Sequence, residues 1–150
     1  MSEPWAHSGG HLLADHLRAV AALAGGFSQT FDAAEPAQRW AYLAGLWHDL
    51  GKYRQGFQKY VRFADNADAH IEGKVNGREK THSAAGALWA MQRLEHTHGA
   101  PGKLAAHVLA YLIAGHHAGL ADWNDGLAQR LADPDSLQEL QETLAAQPPD

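Results

Sequence analysis

Gly45-Leu46-Trp47-His48-Asp49-Leu50-Gly51-Lys52 is an apolar segment that turns abruptly into chemistry and then stops at a glycine. On a helix, the adjacent His48 and Asp49 point about 100° apart, so two metals sharing the carboxylate suit the pair better than one metal held between them. Gly51, closing an apolar-periodic run, reads as a helix C-cap. That places the pair in a last turn, where exposed carbonyls favour cationic partners. A buried aspartate without a partner would be costly there. A His-Asp pair can also satisfy itself at a helix end, and taken alone the pair reads that way. Its company elsewhere in the sequence favours the metal reading.

The chain has 150 residues, of which 45% are hydrophobic and 19% charged, which fits one globular domain with a real core. Eleven histidines and no cysteine restrict any metal chemistry to imidazole and carboxylate ligands, and exclude thiolate zinc fingers and disulfide scaffolds. A formal charge of -5 with a pI near 6.1 argues against holding nucleic acid by bulk electrostatics alone. Bound divalent ions would reverse the sign locally. The start of the sequence lacks the basic and apolar pattern of a signal peptide, so the expected compartment is the cytoplasm. Leu104 to Ala121 is an uncharged run, but its histidines and glycines favour a buried helix over a membrane span.

Working outward from the opening stretch, Pro36 suits the first turn of a helix that runs through Trp40, Leu43, Ala44 and Trp47 to Leu50. Its apolar residues cover most of the circumference, so it is expected to be central. Upstream, Met1 to Gly10 reads as an irregular arm anchored by Trp5, with His7 on the surface or capping. A first helix is expected from His11 to Ala24, ended by Gly25-Gly26, with His16 on its apolar face. Taken singly, His16 reads as a core histidine bonded to backbone. Downstream, Tyr53, Phe57, Tyr60, Val61 and Phe63 suggest a third helix covering the edge of the site. Its basic residues Arg54, Lys59 and Arg62 read as a solvated face, with phosphate contact as the minority reading.

Asp65 to Lys80 contains the Asn76-Gly77 turn signal and reads as a loop or small hairpin in which His70 is incidental. Thr81-His82-Ser83 opens a fourth helix through Leu94, with Thr81 or Ser83 able to cap it. His96 and His98 flank the next turn and read as surface residues. Lys103 to Gly115 is almost wholly apolar and should be buried, with His107 a satisfied core residue. That helix ends in Gly115-His116-His117-Ala118-Gly119, two imidazoles between glycines that packing does not explain. A short helix near Leu127 to Ala132 and an amphipathic one from about Asp135 to Leu144 complete an all-α chain.

The plausible ligands are therefore His16, His48, Asp49, His82, His116 and His117. Five imidazoles and a carboxylate exceed what one metal takes, and two ions bridged by Asp49 account for all six. From Ala6 to Trp123 the sequence resembles the HD-domain nucleases of CRISPR-associated type I interference. The resemblance is carried by Ala6-His7-Ser8, His16-Leu17-Arg18-Ala19-Val20-Ala21, Trp47-His48-Asp49-Leu50-Gly51-Lys52 with Phe57-Gln58, His82-Ser83-Ala84-Ala85-Gly86-Ala87, and Ala114-Gly115-His116-His117-Ala118-Gly119-Leu120.

This resemblance implies an HD-domain helical bundle around a two-metal centre that cuts single-stranded DNA. It assigns His16, His48 and Asp49 to one ion, and Asp49 as bridge with His82, His116 and His117 to the other. Asp49 and Lys52 are the implied catalytic groups, and Lys52 and Ser83 the expected substrate contacts. Imidazole-rich ligation favours manganese, iron, cobalt, nickel or zinc over magnesium. The implied partners are single-stranded DNA, a helicase domain or subunit, and an RNA-guided surveillance complex, with no membrane.

One departure stands out. The family carries a further aspartate on the first ion, in a late Leu-Val-Asp-Ala-Asp-like helix, and no such motif occurs here. With its Pro148-Pro149-Asp150 end, the chain is expected to be a single HD domain over residues 1–150 that lacks C-terminal helices or a following helicase. Two other functions fit the same residues: an HD phosphohydrolase acting on nucleotides or cyclic nucleotides, and a metal-binding module without catalysis.

Overall fold

The computed structural model describes residues 3–32, 34–63 and 81–149. The expected turn at Asn76-Gly77, and His70 with it, lie outside these residues. The all-α expectation holds. The helices are α1 (Leu13–Ser28), α2 (Glu35–Trp47), α3 (Gln55–Phe63), α4 (Ser83–His98), α5 (Gly102–Gly115), α6 (Ala128–Ala132) and α7 (Pro134–Ala145). A single 3-10 turn, Leu50–Tyr53, joins α2 to α3, and a π-helical turn, Trp123–Leu127, leads into α6. Among the described residues the isolated extended pairing is the antiparallel bridge between Trp5 and Leu12.

Packing, more than local propensity, sets the helix limits. Glycine weakens a helix interior by about 1 kcal/mol relative to alanine, yet α1 does not end at Gly25-Gly26 and continues to Ser28. Gly25 lies against the Gln38 carbonyl and Tyr42 of α2, so the antiparallel contact sustains the last turn. The two helices are in close contact at Gly45, where a Cβ would lie 2.7 Å from Ala21 Cα. At its other end α2 is shorter than the pattern predicts. It stops at Trp47, His48 keeps helical dihedrals, and Asp49 turns aside with φ -109° and ψ 21°.

Gly51 is consequently inside the 3-10 turn and is no helix cap. A Cβ there would collide with the His82 backbone and the Glu139 carboxylate, so this glycine lets the turn press against the start of α4 and the middle of α7. Gly86 does the same on the other side, where a Cβ would overlap the Trp47 carbonyl. Both glycines thus bring the His48-Asp49 segment against α4.

The central helix is α4, not α2. Only Gly45 of α2 is fully buried, and Trp40, Leu43 and Trp47 are half-buried at the rim of the main core. Ala84, Ala85, Gly86, Ala87 and Ala90 are all enclosed, because small side chains let α2, α5 and α7 approach on every side. The core continues through Leu88, Leu94, Leu109, Ile113, Leu127, Leu131 and Leu140. α5 buries one face only, since Leu104 and Leu112 are exposed. His107 is likewise exposed, with its ring 3.8 Å from that of Trp123, and is not a core residue.

Two of the basic residues expected on a solvated face are structural. Arg54 is buried: it donates to the Gly51 carbonyl at 3.3 Å and to the Thr81 carbonyl, and pairs with Glu142 at 3.5 Å, tying the 3-10 turn to α4 and α7. Arg62 lies over the Trp5 ring at 4.4 Å and donates to the Glu3 carbonyl, which fixes the N-terminal arm on α3. Glu139 is also buried, and its carboxylate accepts the Ala85 N–H at 2.8 Å in the first turn of α4, where unsatisfied donors favour an anion. Asp122 and Asp133 accept backbone N–H groups at the starts of the π-helical turn and α7. No helix among the described residues is long and apolar enough to cross a membrane.

Candidate metal centre

Five elements converge on the Asp49 carboxylate. Asp49 is only 2% exposed. Its Oδ2 lies 3.2 Å from His16 Nε2, 3.1 Å from His48 Nε2 and 2.8 Å from Lys52 Nζ. Its Oδ1 lies 3.1 Å from His82 Nε2 and 3.4 Å from His116 Nε2. His117 joins the Oδ1 side, with Nε2 2.9 Å from His82 Nε2. The donor atoms of Asp49, His82, His116 and His117 lie within 4.8 Å of one another, as do those of His16, His48 and Asp49. All six ligands expected from the sequence are therefore brought together, in two sets that share one carboxylate.

Local structure aims each ring. His48 Nδ1 lies 2.7 Å from the Gly45 carbonyl and His116 Nδ1 2.6 Å from the Ile113 carbonyl. A carbonyl can only accept, so Nδ1 carries a proton in both rings and Nε2 faces inward. His82 precedes the first turn of α4, and Phe57 of α3 packs on its ring at 5.3 Å. The third helix thus does cover the edge of the site.

Three features fit a pair of cations. Inward lone pairs repel at the 3.3 Å separating His16 and His48 Nε2, unless a proton or a metal lies between them. Asp49 Oδ1 is buried without a hydrogen bond of good geometry, with the His82 and His116 rings 3.1 and 3.4 Å away. Finally, burial raises the Asp49 carboxyl pKa, but the surrounding imidazoles of His116, His16, His48 and His82 outweigh it and hold the group well below the usual carboxylate range. The carboxylate is thus ionised and offers an unused oxygen toward one set of imidazoles. Imidazoles oriented about a shared carboxylate are the donor set for transition metals.

Lys52 is 2% exposed, and its Nζ is shared between Asp49 Oδ2 and the Ala6 carbonyl, the latter at 3.2 Å. A direct substrate contact by Lys52 would have to give up one of these bonds. Ser83 is buried in the first turn of α4, beside His82.

Three residues given no place at the site in the sequence reading lie beside it, and His7, expected on the surface or capping, is one of them. Gln58 accepts from Trp5 N–H at 2.8 Å and donates to the Trp5 and Lys52 carbonyls at 2.9 and 2.8 Å, which seats the arm beside the centre. His7 is half-buried with its ring 4.9 Å from that of His16, and the exposed His11 ring lies 5.7 Å from His16. The signal for both was Gly9-Gly10, a pair able to reverse the chain.

A family model described as "Cas3, HD domain" matches residues 3–147. Comparison with curated proteins finds no match.

Proposed function

The chain belongs to the family of Cas3 HD domains, metal-dependent phosphohydrolases of the nuclease class, and from that premise we propose that it hydrolyses phosphodiester bonds of single-stranded DNA. The observation that carries this reading is the Asp49 carboxylate, placed with one oxygen toward His16 and His48 and the other toward His82 and His116. His16, His48 and Asp49 would hold a first ion, and Asp49, His82, His116 and His117 a second. Two such cations would supply an activated water and charge stabilisation for the attacking and leaving oxygens of a phosphodiester.

The chain's own residues act around that pair. Asp49 fixes the spacing of the two ligand sets, and Lys52, held on Oδ2, keeps the carboxylate in the orientation that both sets require. Lys52 is in this sense a positioning residue that also supplies positive charge beside the reaction. The exposed side of His116 and the half-buried His117 leave the Oδ1 set accessible to a strand. Imidazole-rich ligation favours manganese, iron, cobalt, nickel or zinc over magnesium.

With a net charge of -5, the domain lacks the electrostatic means to capture DNA unaided. That supports delivery of the strand by a helicase domain or subunit, within cytoplasmic CRISPR interference directed by an RNA-guided complex. The test is incubation of the chain with a circular single-stranded DNA in manganese. Cleavage that a chelator stops and that excess free nucleotide does not inhibit is expected. Intact circles together with hydrolysis of free or cyclic nucleotides would replace this reading with that of a nucleotide phosphohydrolase.

A further inference from the structure

A third cluster, His7, His11 and His16, shares only His16 with the two ligand sets. Gly9 and Gly10 have φ of 92° and 87°, which side chains disfavour, and they turn the arm back on itself. The reversal is clamped by Ala6 N–H to the His11 carbonyl at 2.8 Å and Leu13 N–H to the Pro4 carbonyl at 2.9 Å. It is tied to the centre by the bond from Lys52 to the Ala6 carbonyl. His7 and His11 are thereby held on the outer side of His16, with ring centroids 5.9 Å apart and 4.9 and 5.7 Å from that ring. One ring nitrogen from each of the three lies within 4.8 Å of the others. Three imidazoles on a tetrahedral ion at about 2.0–2.1 Å would stand about 3.3 Å apart, a closure that side-chain rotation supplies.

The cluster runs from exposed His11 through half-buried His7 to His16, whose Nε2 already faces Asp49 at 3.2 Å. A neutral imidazole offers one lone pair at a time, so His16 serves an outer ion or the inner one, and not both. We propose that His7, His11 and His16 form a staging seat for a transition-metal ion, which passes inward when His16 turns its lone pair to the triad with His48 and Asp49. This rests on the metal reading above for the ion's destination. An all-imidazole, uncharged seat selects cobalt, nickel, copper or zinc and rejects magnesium and calcium.

The test uses cobalt(II) on the full chain. In a His48→Ala protein the inner triad is broken and His16 is free for the outer seat. Adding His7→Asn and His11→Asn should then remove one cobalt per chain. In the otherwise native chain the same pair should leave the final cobalt content unchanged and slow the filling of the first site several-fold, followed by cobalt absorption in rapid mixing. Equal cobalt content in the His48→Ala protein with and without His7 and His11 would overturn the staging seat, as would equal filling rates in the native background. Because the set of Asp49, His82, His116 and His117 is untouched in every variant, cobalt bound there keeps the two claims apart. No cobalt bound at all would overturn both.

Discussion

Replacing Lys52 by methionine isolates what this side chain does. Methionine is unbranched and of similar length, so the volume is conserved and no cavity opens. What disappears is the donor 2.8 Å from Asp49 Oδ2 and 3.2 Å from the Ala6 carbonyl, in a site where Lys52 and Asp49 are each 2% exposed. Removing one partner of a buried ion pair costs about 3–5 kcal/mol. Oδ2 keeps His16 and His48 at 3.2 and 3.1 Å, which places the loss at the lower end, about 3 kcal/mol. At about 2–4 °C per kcal/mol for a domain of this size, Tm of the metal-free chain should fall by about 6–12 °C. Cations bound at Asp49 would take over as counter-charge, so the fall should be clearly smaller with manganese in excess. Melting curves followed by circular dichroism, with chelator and with manganese, measure both numbers. Equal falls in the two states, or one under about 2 °C without metal, would refute the pairing of Lys52 with the bridging carboxylate.

Gly51→Ala should cost about 1–3 kcal/mol through overpacking and weaken manganese binding, because the new methyl displaces the His82 backbone; unchanged affinity in a titration would show that this turn does not set His82. The two ions should bind unequally, since one set offers four ligands and the other three, and calorimetry returning two equivalent sites would contradict that. For the metal-free chain, the depressed Asp49 pKa means that its stabilising contribution is complete above the ordinary carboxyl value of 3.8 and is lost as pH falls through the lower folded value. An Asp49→Asn protein should therefore show its stability deficit at neutral pH and down through mild acid, and a deficit already gone at about pH 5 would refute the sign.

The clustered residues were legible because each lies in a short motif at a helix end or on a marked apolar face: His48-Asp49 before Gly51, His82 before an alanine run, His116-His117 between glycines. Imidazoles in such places have little packing value, which is why chemistry explains them. The order of burial was less legible. α4 is built from alanine and glycine and has a weak hydrophobic pattern, so its central position follows from how closely its neighbours approach, which only three-dimensional packing shows. The wide apolar girdle of α2 drew attention instead, although its tryptophans lie at the rim. Arg54 and Glu139 were hidden for a related reason: a charged residue reads as exposed until the carbonyls and N–H groups that satisfy it come from distant elements. His7 and His11 depend on a reversal at Gly9-Gly10, a feature present in the sequence whose consequence is spatial.

The proposed centre has one carboxylate, Asp49, shared by two ions. Electron paramagnetic resonance of the chain loaded with manganese reads that sharing directly, because two manganese(II) ions held on either side of Asp49 would be magnetically coupled. The expected result is a coupled spectrum in the native protein that becomes the spectrum of isolated ions in Asp49→Ala. A native protein saturated with manganese that shows only isolated ions would contradict the bridged centre.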